Sequence, residues 1–265
     1  MRYGFCKEFS TPLKTEVDYS LIRMIREAGF DYVEMRAMLV AGLDRTEFEK
    51  LERTLKEWDL ACDCCCALFP GTIRVVGKNA DRQKIRDYLE KTLERCRRLG
   101  AGKVVFGSAG SRALEEGMTQ EEEYARLIDL MKEVMVPLCE AYRMTIVMEP
   151  LRKDACNFIH TLSDGMKVVE GVASERVKLL ADTIHMMSNS DRPEDILTYR
   201  NSLRHIHISE LQRMLPEDRY SAYVAKVLEN LKAIGYDQTI SFETRNGAGL
   251  ESMKKALKLL KARFL

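Results

Sequence analysis

The chain has 265 residues, 46% hydrophobic and 31% charged, with 42 basic side chains against 41 acidic ones and a formal net charge of +1. That composition supports one large core or two smaller ones, and the charge balance gives no overall attraction to nucleic acid, an anionic membrane or an acidic partner. No run approaches the roughly 20 apolar residues of a membrane span, and the opening MRYGFCKEFSTPLK lacks the apolar segment of a secretory signal, so a cytoplasmic protein is expected.

The predicted elements alternate along the whole chain. YGFC (3–6) reads as a first strand and DYSLIRMIREAGF as a helix after it; DYVEMR (31–36) is the second strand, followed by the helical EFEKLERTLKEWDL. ACDCCCALF (61–69) is the third strand, DRQKIRDYLEKTLERCRRLG a helix, KVVFG (103–107) the fourth strand and EEYARLIDLMKEVMVPLCEAYR one long helix. TIVMEP (145–150), VKLLAD (177–182), RHIHIS (204–209) and QTISFE (238–243) complete eight strands. Helices end at EAGFD, RLGAGK and AIGYDQ, where a glycine after the last turn caps the helix and the next strand begins at once.

Of the eight cysteines, Cys64, Cys65 and Cys66 are consecutive, and neighbours on a strand point to opposite faces, which does not suit a disulfide framework. No second CxxC or Cys/His pair adds to Cys62 and this run the ligands that a zinc site needs. Buried, reduced thiols are expected.

Strand followed by helix, repeated without a linker, predicts a (β/α)8 barrel, a TIM barrel, as a single domain over 1–265. The competing doubly wound sheet is disfavoured because neither G-x-G-x-x-G nor G-x-x-x-x-G-K-[ST] follows the first strand. In such a barrel the active site forms at the C-terminal ends of the strands. There the sequence places Glu34, Glu149, Asp182, His205 with His207, and Glu243, where apolar residues would otherwise stand. Acids converging on one apolar mouth must share a cation or be solvated. Three carboxylates and one imidazole suit Mn²⁺, Mg²⁺ or Co²⁺, and zinc less well. His205 and His207 lie on one face of their strand; His207, nearer its C-terminal end, is the expected ligand and His205 a hydrogen-bonded support. His160 is expected to be incidental to a loop.

IVMEPL (146–151), LLADTIHM (179–186), RHIHISELQR (204–213) and ISFET (240–244) resemble the motifs of the sugar isomerase/epimerase superfamily with a xylose-isomerase-like barrel, above all the D-tagatose/D-psicose 3-epimerase group. The resemblance implies that Glu149, Asp182, His207 and Glu243 bind one metal, most simply Mn²⁺, and that His185 and Arg213 contact the substrate. It also implies a homodimer or homotetramer, and a small carbohydrate rather than nucleic acid or membrane as the partner. The implied reaction is proton abstraction next to a carbonyl through a metal-stabilised enediolate, with Glu149 and Glu243 as the catalytic pair.

One segment departs from that group: EPLRKDACNF carries Arg152 where the epimerases have asparagine and Ala155 where they have a second glutamate. A cationic Arg152, beside Lys153, would pair with a phosphate or carboxylate, which raises the expectation of a sugar phosphate or sugar acid. Glu34 and Phe106 are further expected substrate contacts, and Cys6, Lys7, Phe69 and Ser108 are expected to shape the pocket. Alternatives using related barrels are an inosose-type polyol dehydratase, an endonuclease-IV-like hydrolase, for which four histidines are few, and a non-catalytic sugar-binding barrel.

Overall fold

The structure, a computed structural model, describes residues 1–6, 16–244 and 248–265. Eight parallel strands close in sequence order: β1 (Arg2–Cys6), β2 (Tyr32–Arg36), β3 (Cys64–Cys66), β4 (Lys103–Phe106), β5 (Thr145–Met148), β6 (Val177–Asp182), β7 (Leu203–Ile208) and β8 (Thr239–Glu243). β8 pairs back onto β1 over Arg2 to Cys6, so no sheet edge is left open. The chain is therefore a TIM barrel. Among the described residues no helix is long and apolar enough to cross a membrane.

Alternation along the strands sorts the side chains into two apolar groups. Cys6, Tyr32, Cys64, Cys66, Val105, Val147 and Leu180 fill the inside of the barrel, whereas Phe5, Val33, Met35, Phe106, Met148 and their like pack outward against the helices. Tyr32 is the largest of the interior group, and its hydroxyl pairs with Ser241 Oγ at 2.8 Å. The ring fits because Gly4 faces it: a Cβ at Gly4 would overlap the Tyr32 ring.

The helices follow from their sequences. Tyr19–Glu27 buries Leu21, Ile22 and Ile25 on one stripe and is capped by Asp18, whose carboxylate accepts from the Leu21 N–H. Gly100, with a φ of 103°, closes the helix Arg82–Arg98 as expected from RLGAGK. The long helix expected over EEYARLIDLMKEVMVPLCEAYR is divided into Gln120–Leu130, a π-helical turn Met131–Met135 and Val136–Ala141. Pro137 explains the break, since it has no N–H to donate and its ring crowds the carbonyl one turn back. β3 is shorter than the expected 61–69, because Ala67 takes a left-handed φ of 50° and turns the chain into the barrel mouth.

Filling the space opposite Tyr32 tests this packing. Gly4→Ala is expected to lower stability by about 1–3 kcal/mol through overpacking, read as a shift in the urea midpoint with an unchanged slope; an unaltered midpoint would contradict the close approach of Gly4 to the ring.

Candidate functional site

Glu149 directly follows β5, Asp182 ends β6, His207 lies near the end of β7 and Glu243 ends β8. Each occupies an inward phase of its strand, and one donor atom from each lies within 4.8 Å of all the others, every residue being buried. His207 Nδ1 is 3.4 Å from Glu149 Oε1 and 3.4 Å from Glu243 Oε2. That nitrogen is buried yet has no hydrogen-bond partner among the described residues. An orphaned imidazole nitrogen facing three carboxylates fits a divalent cation, which would take the lone pair and offset the crowded negative charge. Burial works against a charged ring, but Glu34 and Glu243 outweigh it and hold the His207 imidazole well above its ordinary range. Burial likewise raises the Asp182 carboxyl against the pull of Arg213, while at Glu243 the cations Arg213 and His207 outweigh burial and hold the carboxyl low.

Below this cluster lies a second, fully enclosed one. Glu34 Oε1 is 3.0 Å from His207 Nε2, and Glu34 Oε2 is 2.9 Å from His205 Nε2 while accepting from Ser241 Oγ at 2.5 Å. His205 Nδ1 reaches Thr239 Oγ1 at 2.8 Å. Burial would raise the Glu34 carboxyl, yet the His207 and His205 imidazoles more than reverse this and keep it well below the usual carboxylate range. With its Nε2–H donated to Glu34, His207 must present Nδ1 upward, toward the three acids.

His185, in the short helix Thr183–Asn189 after β6, and Arg213, at the end of the 3-10 turn Leu211–Arg213 after β7, reach the same cluster. Gln212 and Arg213 both take left-handed conformations, φ 63° and 59°, which fold the chain after β7 back over the barrel mouth. Arg213 donates to Glu243 and, at 3.5 Å, to Asp182. The backbone N–H of Arg152 donates to His185 Nδ1 at 3.1 Å, so in the neutral ring the proton belongs to Nε2. His185 Nε2 and Arg213 Nη2 are 3.1 Å apart. Two donors therefore converge where a substrate oxygen could accept from both. Above them opens a cavity of about 330 Å³, lined among others by Arg36, Phe69, Ser108, Glu149, Ala155, His185, Arg213 and Glu243.

A sequence profile for the xylose isomerase-like TIM barrel family matches residues 22–263. The chain belongs to that family. No match to a curated protein sequence accompanies it. The chain is similar in structure to a D-psicose 3-epimerase with D-tagatose from Clostridium cellulolyticum H10 (18% identity, TM-score 0.86, covering 100% of this chain and 99% of that one). It is also similar to the 3-keto-D-glucoside 4-epimerase YcjR from E. coli in its apo form (19% identity, TM-score 0.79, 99% of each chain). A third likeness is to the IOLI protein with a bound zinc atom (18% identity, TM-score 0.77, 100% and 98%). At these identities the likeness is one of fold.

Within this xylose isomerase-like barrel, three residues expected to contact substrate lie outside the cavity lining. Glu34 is 0% exposed and gives both oxygens to imidazoles, which places it beneath His207 as a support. Phe106 occupies an outward phase of β4, packing on Phe69 at 5.4 Å between ring centroids, and does not line the cavity. The Arg152 guanidinium lies 2.9 Å from Asp154 and is likewise absent from the lining. Phe69 and Ser108 do line it; Cys6 is buried beneath it, 3.4 Å from Cys66 Sγ, and Lys7 lies outside the described residues. His160 sits in a loop, its Nδ1 3.1 Å from the Leu151 carbonyl.

Two further residues belong to the site without being singled out by sequence. Gly107 continues the inward phase of β4, and a Cβ there would overlap the Glu149 carboxylate, so only glycine leaves room for that acid. Arg36 shares the inward phase of Tyr32 and Glu34 and reaches the cavity. Strand parity is the signal that marks both.

Two outcomes are expected. Glu34→Gln should weaken Mn²⁺ binding about 10- to 100-fold in a calorimetric titration; unchanged affinity would remove Glu34 from the role of orienting His207. Burial, opposed by Glu149 and reinforced by Arg213, lowers the His185 imidazole from 6.5 to about 4. The folded state therefore binds fewer protons than the unfolded chain between these values, and the His185 contribution to stability is present above pH 6.5 and is lost as pH falls toward 4. In His185→Gln the melting temperature should decline less steeply across that window than in the wild type.

Proposed function

We propose that the chain is a divalent-metal-dependent isomerase or epimerase of carbohydrates that removes and returns a proton at a carbon next to a carbonyl. The observation that carries this reading is the placement of Glu149 and Glu243. They belong to strands on different sides of the barrel, both line the cavity, and each stands 3.4 Å from His207 Nδ1. A divalent ion held by Glu149, Asp182, His207 and Glu243, best Mn²⁺ for so oxygen-rich a set, would supply positive charge against the negative charge developing on the substrate oxygens.

The side chains divide the remaining work. Glu149 takes the proton from one face of the reacting carbon and Glu243 returns one to the other, which is the arrangement that inversion requires. The Nε2–H of His185 and the Arg213 guanidinium donate to one substrate oxygen and favour its enediolate form over the carbonyl. Loss of the Arg213 pairing frees Glu243, so substrate entry and activation of the base are linked. The apolar wall around Phe69 and Leu151 excludes water that would otherwise compete for the transferred proton.

The reading predicts that the Mn²⁺-loaded protein catalyses uptake of deuterium from D₂O into a ketose, a ketose phosphate or a keto sugar acid, followed by NMR. Glu243→Gln should reduce the exchange rate by at least about 100-fold, in keeping with the loss of a general acid/base. Absence of exchange across the whole set, or full exchange in the variant, would overturn the assignment.

A further inference from the structure

Behind the cavity wall lies a guanidinium that neither the ion ligands nor the proton transfer uses. Arg112 closes the short helix Ala109–Arg112, which follows β4, and is 0% exposed. Phe106 and Met148 are the last paired residues of β4 and β5, so the main chain just past them lacks a full ladder of partners. Arg112 fills that gap: its Nη1 donates to the Phe106 carbonyl at 3.0 Å and its Nη2 to the Glu149 carbonyl at 2.6 Å. The Glu149 N–H donates to the same Phe106 carbonyl at 3.3 Å. One fork thus ties the end of β4 to the residue that carries the acid. Gly107, next in sequence to Phe106, leaves room for the Glu149 carboxylate.

The other neighbours of this guanidinium are the Met148 sulfur, 3.2 Å from Nη1, the Phe106 ring, whose centroid is 5.7 Å from the guanidinium carbon, and the Cys156 thiol. Among the described residues no carboxylate forms an ion pair with it, and its Nε is buried without a hydrogen bond. A buried cation without an acid of its own is costly, and stability alone would favour an apolar side chain of the same volume. What arginine adds is two donors in a fixed plane, which hold two carbonyls at one separation. The Glu149 carbonyl is one of them, on the main chain that aims its carboxylate at Asp182, His207 and Glu243.

We propose that Arg112 is a positioning residue for the ion site: its fork fixes the Glu149 main chain against the end of β4, so that ion affinity depends on a side chain outside the cavity lining. This rests on the reading of Glu149 as ligand and base. Two consequences of removing Arg112 have opposite sign. Loss of a positive charge beside a cation site would by itself tighten the ion; loss of the fork lets a ligand drift and loosens it. The direction of the change therefore separates positioning from charge, and a residue that only fills space would move neither.

The test titrates Mn²⁺ calorimetrically into the wild type, Arg112→Met and Arg112→Lys, with circular dichroism to verify folding. Arg112→Met is expected to bind Mn²⁺ about 10- to 100-fold more weakly than the wild type. Arg112→Lys keeps the charge but cannot span both carbonyls, and should lie between them, about 3- to 10-fold weaker than the wild type. Equal or tighter binding in Arg112→Met overturns the proposal. So does unchanged affinity in Arg112→Lys, which decides the matter by itself if Arg112→Met does not fold. A lower melting temperature with unaltered affinity assigns Arg112 to packing alone and also overturns it. Weakened Mn²⁺ binding in variants of a protein that exchanges no deuterium into any sugar would sink the isomerase reading and leave this inference standing. Unaltered affinity in variants of a protein that does exchange would sink this inference alone, and a wild type that binds no Mn²⁺ would remove both.

Discussion

Three carboxylates held around one imidazole nitrogen are the constraint on which the rest of the barrel mouth depends. At about 4 Å and an effective dielectric near 20, two like charges repel by roughly 4 kcal/mol, and Glu149, Asp182 and Glu243 meet at that scale away from water. Positive charge has to be supplied, and the surrounding residues are arranged to supply or to guide it. His207 turns a nitrogen into the cluster, Arg213 lays its guanidinium across Glu243 and Asp182, and the donor set left open is one that suits a divalent ion. The left-handed pair Gln212 and Arg213 fits the same requirement, since without that turn the guanidinium would follow the strand outward.

The support beneath the cluster is as specific as the cluster itself. Glu34 stands between His205 and His207 and fixes which nitrogen of His207 faces upward; Ser241 donates to Glu34, Tyr32 pairs with Ser241, and Thr239 holds the far nitrogen of His205. Small residues make the room: Gly4 admits Tyr32 and Gly107 admits the Glu149 carboxylate. Stability and function are thus joined through packing, because a methyl group added at either glycine would displace a side chain on which the cluster relies.

Much of this arrangement is legible in the amino-acid sequence. Strand-helix alternation with glycine caps implies the closed barrel, and polar residues closing apolar runs mark Glu149, Asp182, His207 and Glu243, which the fold does bring together. The departures have a common cause. Glu34 and Phe106 lie close enough to strand ends to suggest mouth residues, but depth and phase decide what a side chain meets: Glu34 is one layer too low and Phe106 one residue out of phase. The chemistry of Arg152 alone suggests anion binding, and a loop charge can be turned aside by a neighbour such as Asp154.

By itself, the sequence determined the periodicities and the chemical inventory: eight inward faces, the acids and imidazoles at their ends, and a charge balance without a field for polyanions. These are local properties, carried by residues close together along the chain. Only tertiary structure decided which of those groups share a volume, which nitrogen of His207 faces the three acids, and that Arg36, not Arg152, lines the cavity. The physical reason is barrel closure: it brings together residues as distant in sequence as Glu34 and Ser241, 207 positions apart, and no local pattern encodes the depth at which they meet.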